Sequence, residues 1–284
     1  MLFQTLPCFL ASEALGKRPH VMEETQTQTE TIMVPPQLPE KDAREIAKLH
    51  FVCATSGMVL RELPKRKVTR VSYDGRSYIV KSYLLPWWQR ILHYAPDRQT
   101  PCKLLQGLTP ACLATLLHGA WQVAIFQDAG PLNLFDVKAL EASSLPVEDL
   151  FREAGILLSK IHNRNIFHTD TKPTNFVPNQ RITGMRPVLI VDCDRVIHFH
   201  RLPVYRRAFN LAQFLADCKP FPQDDTRMDH CITAFLTGYR DTIRNSKLDF
   251  KALLTQVREL ALTHPRIERY APPSQLEHEW VLDK

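Results

Sequence analysis

Residues 156–196 read ILLSKIHNRNIFHTDTKPTNFVPNQRITGMRPVLIVDCDRV, the most informative stretch of the chain. His168, Asp170, Lys172 and Asn175 fall within eight residues, and Asp192 closes an apolar run. Each residue type has a chemical use. Asp170 can accept a proton from a hydroxyl, and Lys172 can neutralise nearby negative charge. Asn175 and Asp192 offer hard oxygen ligands of the kind magnesium prefers. The polar loop follows a segment of helical periodicity, in which Val147, Leu150, Phe151, Ala154, Leu157, Leu158 and Ile161 share one face. Pro146 suits its first turn, and Asn163 or Asn165 suits its stop. A short strand (FVP), a turn holding Gly184 and a second strand (PVLIVD) come after the loop. A polar surface turn would not explain the aspartate at the end of VLIV.

The spacing H-x-D-x-K-x-x-N resembles the catalytic loop of protein kinases, and the apolar strand plus Asp192 resembles their second metal-binding element. His168, Asp170 and Lys172 are therefore candidate catalytic residues, and Asn175 and Asp192 candidate magnesium ligands. The front half agrees. KVTRVSY and RSYIVKSY flank Asp74-Gly75, a pair that supplies the positive φ angles of a two-residue hairpin turn. In that register Val68 lies opposite Lys81 and Arg70 opposite Ile79, with all four side chains on one face. Lys81 in YIVK resembles the phosphate-binding lysine of the third kinase strand. Val68 and Ile79 would roof an adenine. WQVAIF at 121–126 reads as a buried strand, and residues 126–129, with Gln127 and Asp128, as the hinge whose backbone pairs with the base. The expected class is α+β, a bilobal protein-kinase-like fold with a small β-rich N-lobe (46–130) and a helical C-lobe (131–284). Further helices are predicted near 206–218, 227–244 and 249–263.

The pieces YIVKSY, IHNRNIFHTDTKPTNF, VLIVDCDRV and RRAFNLAQFL resemble the lipopolysaccharide kinase family, the Kdo and heptose kinases of the bacterial inner core, over roughly residues 50–245. That resemblance implies an ATP- and Mg2+-dependent kinase acting on a sugar hydroxyl of a lipid-linked glycan at the inner face of the cytoplasmic membrane. Two other functions fit parts of the pattern: a kinase-like binding protein with weak or lost catalysis, and a small-molecule phosphotransferase that shares H-x-D-x-x-x-x-N. Lys172 and RRAFNLAQFL argue against the last.

Several positions depart from the kinase pattern. The phosphate-covering loop reads LPKRK without glycine, so Lys65, Arg66 and Lys67 either hold phosphates by charge or form a solvated basic turn. Between Lys81 and Asp128 there is no glutamate to pair with the strand lysine and only one acid, Asp97; either Asp97 substitutes on a shortened helix or the pair is absent. Asp194 follows Asp192 at a distance of two and either assists the metal or bridges to Arg195. About 14 residues separate Asp192 from the next predicted helix, too few for a protein-docking segment, which favours a small or glycan acceptor. HFHRLPVYRR then offers His200, Arg206 and Arg207 as an acceptor-binding rim, or an ordinary solvated face. Trp87, Trp88 and Arg90 fit either a core or a membrane interface.

Composition bounds the rest. The 284 residues carry 36 bases against 30 acids, a net charge of +6. The first 40 hold two bases and five acids, so the positive charge belongs to the remainder and an anionic partner is expected, though not a nucleic acid. Residues 1–45, with TQTQTET and a proline-rich follow-on, read as a disordered tail. Nine glycines exclude a collagen-like chain. Seven cysteines without a CxxC pair fit a reducing compartment, and a cytoplasmic protein is expected. No apolar run approaches the roughly 20 residues that span a bilayer.

Overall fold

The computed structural model describes residues 38–52, 57–92, 94–218, 225–244 and 248–265. The expected tail up to residue 37 lies outside them. Residues 40–45, expected in that tail, instead open helix α1 (Glu40–Val52). Ala43, Ile46 and Ala47 give α1 an apolar stripe buried against a sheet.

The sheet is built from β1 (Gly57–Leu63), β2 (Arg66–Tyr73) and β3 (Arg76–Leu84), then, after short helices α2 (Trp87–Ile91) and α3 (Thr100–Leu104), from β4 (Cys112–His118) and β5 (Trp121–Gln127). The order is β1-β2-β3-β5-β4, and every pairing is antiparallel. The β2–β3 register places Val68 opposite Lys81 and Arg70 opposite Ile79, with Asp74 and Gly75 both at positive φ (49° and 70°) in the turn. Residue alternation divides the sheet into two faces. Val71, Tyr78, Val80, Val123 and Ile125 pack with α1. His50 of α1 adds polar anchors, its ring nitrogens lying 2.7 Å from Thr69 Oγ1 and 2.8 Å from Ser82 Oγ. The opposite face presents Val68, Arg70, Ile79, Lys81 and Phe126 to a cavity.

The second half contains α4 (Val137–Ala142), α5 (Val147–Asn163), β6 (Ile166–His168), β7 (Phe176–Pro178), β8 (Val188–Ile190), β9 (Val196–His198), α6 (Val204–Ala216), α7 (Asp225–Thr242) and α8 (Phe250–Thr263). All seven apolar positions predicted for one face of α5 are buried. Asn165, at φ 56°, ends that segment in the left-handed conformation asparagine tolerates, and its side chain accepts from Leu202 N. One apolar core joins α5, α6, α7 and α8, with Phe214 stacked on Phe235 at 4.0 Å.

Helices α5 and α7 meet almost backbone to backbone. A Cβ placed on Gly155 would lie 1.9 Å from Phe235 O, and one on Gly238 would lie 2.3 Å from Arg152 O. Gly155→Ala must therefore part the two helices. Overpacking of this kind costs about 1–3 kcal/mol, and at about 2–4 °C per kcal/mol for a chain of this size the expected melting temperature is roughly 2–12 °C lower. An unchanged melting temperature by calorimetry would show that this contact does not hold the helical half together.

Candidate active site

Two small hairpins fix the polar loop. β6 pairs with β9, and β7 pairs with β8. Residues 169–175 therefore run beside the turn 191–195, and the N–H of Val191 donates to Asn175 O at 2.8 Å. Asn210 of α6 ties the loop to the helical core by donating to His168 O at 2.6 Å. Thr171 hydroxyl donates to Asn210 O, while its backbone N–H donates to Gln213 Oε1.

These elements and the sheet enclose a cavity of about 470 Å³ whose lining includes Val68, Ile79, Lys81, Phe126, Lys172, Asn175 and Asp192. Lys81 Nζ lies 2.7 Å from Asp192 Oδ1, and Arg66 Nη2 lies 2.6 Å from the same oxygen. Asp192 has φ 60° and ψ 44°. A non-glycine residue seldom holds that conformation, and where one does the strain tends to sit at functional sites. Burial opposes its ionisation, but Lys81 and Arg66 more than compensate and hold its carboxyl well below the usual carboxylate range. Asp170 sits beside the cavity, tied to two residues that line it: Lys172 Nζ lies 3.0 Å from its Oδ2, and Asn175 Nδ2 donates to both that oxygen and the Asp170 carbonyl. With its amide nitrogen committed twice, Asn175 keeps its carbonyl oxygen as the end suited to a cation.

A lysine on the third strand, a loop carrying an aspartate and an asparagine, and an aspartate after a short apolar strand thus meet at one cavity between a β lobe and a helical lobe. The architecture is protein-kinase-like. No protein-family model and no curated protein matches the chain. Among solved structures it is similar to one described as WaaP in complex with acyl carrier protein, at 20% identity over 84% of this chain and 98% of that chain, with a TM-score of 0.47. It is also similar to the BubR1 kinase domain, at 12% identity over 78% and 83% of the two chains, with a TM-score of 0.41. The kinase-like assignment rests on the arrangement of strands, loop and cavity described above.

Several expected site residues stand elsewhere. Of the basic triplet only Arg66 lines the cavity. Lys67, one residue along the strand, takes the opposite face and lies 3.8 Å from Glu62, while Lys65 is exposed in the turn. Gln127 and Asp128 line the cavity, but Gln127 N–H already donates to Ala111 O, and Ala129 O already accepts from Gln180 N. The Asp128 side chain is buried and accepts from Ser77, Arg70 and Arg181. That aspartate ties the hinge through its side chain while it lines the cavity. His168 is 1% exposed and accepts the Asp170 N–H through Nδ1 at 3.2 Å, so it shapes the loop without touching a substrate. Asp97 does not reach Lys81; it caps α3 by accepting from Gln99 N, Thr100 N and Thr100 Oγ1.

The expected acceptor rim divides in the same way. Arg207 is 5% exposed, with Nη2 donating to His162 O at 3.3 Å, and belongs to the α5–α6 seam. Arg206 stacks over Phe167 at 4.9 Å, and His200 is exposed away from the cavity lining. Asp194 gained more than its sequence suggested. Its Oδ2 accepts from Tyr83 hydroxyl at 2.5 Å and lies 3.3 Å from Arg66.

The fit to magnesium depends on donors. Among the described residues no three His, Cys, Asp or Glu side chains cluster as a metal site. Magnesium usually takes one or two protein carboxylates and completes its shell with water and phosphate oxygens. Asp192 and Asn175 fit a cation that arrives with a nucleotide. They do not form a self-sufficient cage.

Proposed function

We propose that the chain is an ATP-dependent kinase that phosphorylates a sugar hydroxyl of the lipopolysaccharide inner core, Kdo or heptose, on a lipid-linked acceptor. One observation carries the phosphotransfer reading: Lys81, Asn175 and Asp192 come from three separate elements to one cavity, with Asp170 at its edge. Val68 and Ile79 on one side and Val177 on the other suit a flat base between them. Lys81 and Arg66 suit the phosphates, Arg66 with a planar fork that can donate two hydrogen bonds at once. Asp192 and Asn175 would hold magnesium, which when bound neutralises charge on the phosphates. Asp170 then receives the proton of the acceptor hydroxyl as its oxygen bonds to the terminal phosphorus and the bond to the ADP oxygen breaks. Lys172, 3.0 Å from Asp170, keeps the loop's charge balanced through that transfer.

The acceptor class rests on separate features. Only residues 193–203 separate Asp192 from α6, and a 3-10 turn and β9 occupy six of them, which leaves little chain for docking a protein substrate. Trp87 is 67% exposed, and Trp88, Ile91, Leu92 and Tyr94 are exposed beside it. Such a run, with Arg90 among it, suits the interface of an anionic bilayer that carries the acceptor. No helix among the described residues is long and apolar enough to cross a membrane, so the association would be peripheral, at a cytoplasmic face.

A second reading has its own observation. Lys81 and Arg66 both close on Asp192, which suits a binding protein with little turnover. Transfer of labelled phosphate from ATP, offered in parallel to core lipopolysaccharide, a generic protein and aminoglycosides, decides among these. Labelling of the glycan alone is expected. Labelling of aminoglycosides would move the assignment to a small-molecule phosphotransferase, and no ADP formation with any acceptor would favour the binding protein.

A further inference from the structure

Kinase-like sites need a carboxylate to aim the strand lysine, and the helical side of this one supplies none. α3 reads TPCKL, and Asp97 before it is spent on capping. The charge has changed sides. Arg98 precedes α3 and lines the cavity, while an acid, Asp194, stands two residues beyond Asp192 on the segment α3 packs against. We propose that Asp194, held by Tyr83, is the positioning carboxylate for Lys81. The assignment rests on the kinase reading and deepens it.

Tyr83 follows Lys81 by two residues on β3, so both project to the cavity side. Its hydroxyl donates to Asp194 Oδ2, while Asp194 Oδ1 lies 3.8 Å from Lys81 Nζ. The Tyr83 ring is fixed by Arg98, whose guanidinium carbon lies 4.0 Å from the ring centroid, and by Arg66 at 5.4 Å. Arg98 is itself held, its Nε donating to Gln122 Oε1. Burial and the neighbouring Asp194 push the phenol far above its usual range, so Tyr83 stays a donor. The two aspartates differ in this respect. The Asp192 carboxylate is held by two cations, Lys81 and Arg66, whereas Asp194 also accepts from a neutral phenol two residues along the strand that carries Lys81. With Asp192 engaged by a metal, Asp194 would remain as the carboxylate partner of Lys81. In this scheme Asp194 never contacts the reacting atoms.

The alternative role for Asp194 is a metal ligand, and the two roles separate experimentally. The whole chain is compared with Asp194→Asn, Tyr83→Phe and the double variant, by ATP titration calorimetry with and without Mg2+ and by steady-state turnover. Asp194→Asn is expected to lower kcat about 10²-fold, the usual cost of misplacing a group by about 1 Å. Magnesium should still tighten ATP binding in that variant as in the wild type. Tyr83→Phe should lower kcat in the same direction by less, and the double variant should be no slower than Asp194→Asn, because the pair acts as one unit. Tyr83→Phe keeps the ring under Arg98 and carries the test alone should Asp194→Asn fail to fold. Loss of the magnesium effect in Asp194→Asn, unchanged kcat, or additive losses in the double variant would overturn the assignment. A wild-type chain that binds no ATP would overturn the kinase reading itself, and this assignment with it.

Discussion

Asp170→Asn is expected to slow phosphoryl transfer by about 10²–10⁴-fold, the range general base catalysis contributes, while ATP affinity by calorimetry stays close to wild type. The asymmetry follows from geometry. Asp170 is bonded to Lys172 and Asn175 at the edge of the cavity, whereas the groups suited to phosphate, Lys81 and Arg66, sit across it on the sheet. An amide keeps the size and can still meet Asn175, but it cannot take a proton at neutral pH. Wild-type turnover in this variant would mean that the acceptor proton leaves by another route. A collapse of ATP binding would mean that Asp170 holds the nucleotide side of the site.

The second large effect is on stability in acid. His50, His162 and His168 are buried and held neutral, each pulled down chiefly by desolvation, to about 4, about 3 and about 4. In the unfolded chain each titrates near 6.5. Above that value folded and unfolded chains bind the same number of protons at these sites, and stability does not change. Below it the unfolded state takes protons the folded state refuses, so stability falls with pH by about 1.4 kcal/mol per unit for each histidine. Three together give roughly 4 kcal/mol per unit between pH 6 and 4.5, a large share of the roughly 5–15 kcal/mol a domain has. Urea unfolding at pH 7.5, 6 and 5 should show a flat region and then a steep loss. Equal stability at pH 7.5 and 5 would mean that these histidines reach water or charge inside the fold. Asp192 adds to the loss only at lower pH, since its folded-state pKa is depressed below that of a free carboxylate.

Local chemistry explains which parts of this molecule could be read from its sequence. Asp74-Gly75 demands a two-residue turn, so the β2–β3 register, and with it the face shared by Val68 and Lys81, follows from the pair alone. That register also separates Arg66 from Lys67, because neighbours on a strand face opposite ways, so LPKRK does not act as one cluster. Arg207 is similar. It lies four residues before Leu211 and seven before Phe214, on the buried stripe of α6, and the helical period marked it as interior despite its charge. Other features had no local signal. β4 is half-buried along nearly its whole length and shows no alternation. The tie from Tyr83 to Asp194 spans 111 residues of chain, and nothing near either residue announces the other. Asp97 is the acid the sequence offers in place of the missing glutamate, and Asp194 reads there only as a metal assistant or a partner of Arg195; the fold turns Asp97 to a helix cap and Asp194 to Tyr83 and the cavity.

On the proposed function this cavity binds ATP with magnesium through Lys81 and Asp192. Calorimetric titration of ATP into the wild-type chain and into Asp192→Ala, each with and without Mg2+, tests it most directly. ATP should bind both proteins, magnesium should tighten binding to the wild type, and that tightening should vanish in Asp192→Ala. Equal tightening in the two proteins would place the metal elsewhere and overturn the role of Asp192.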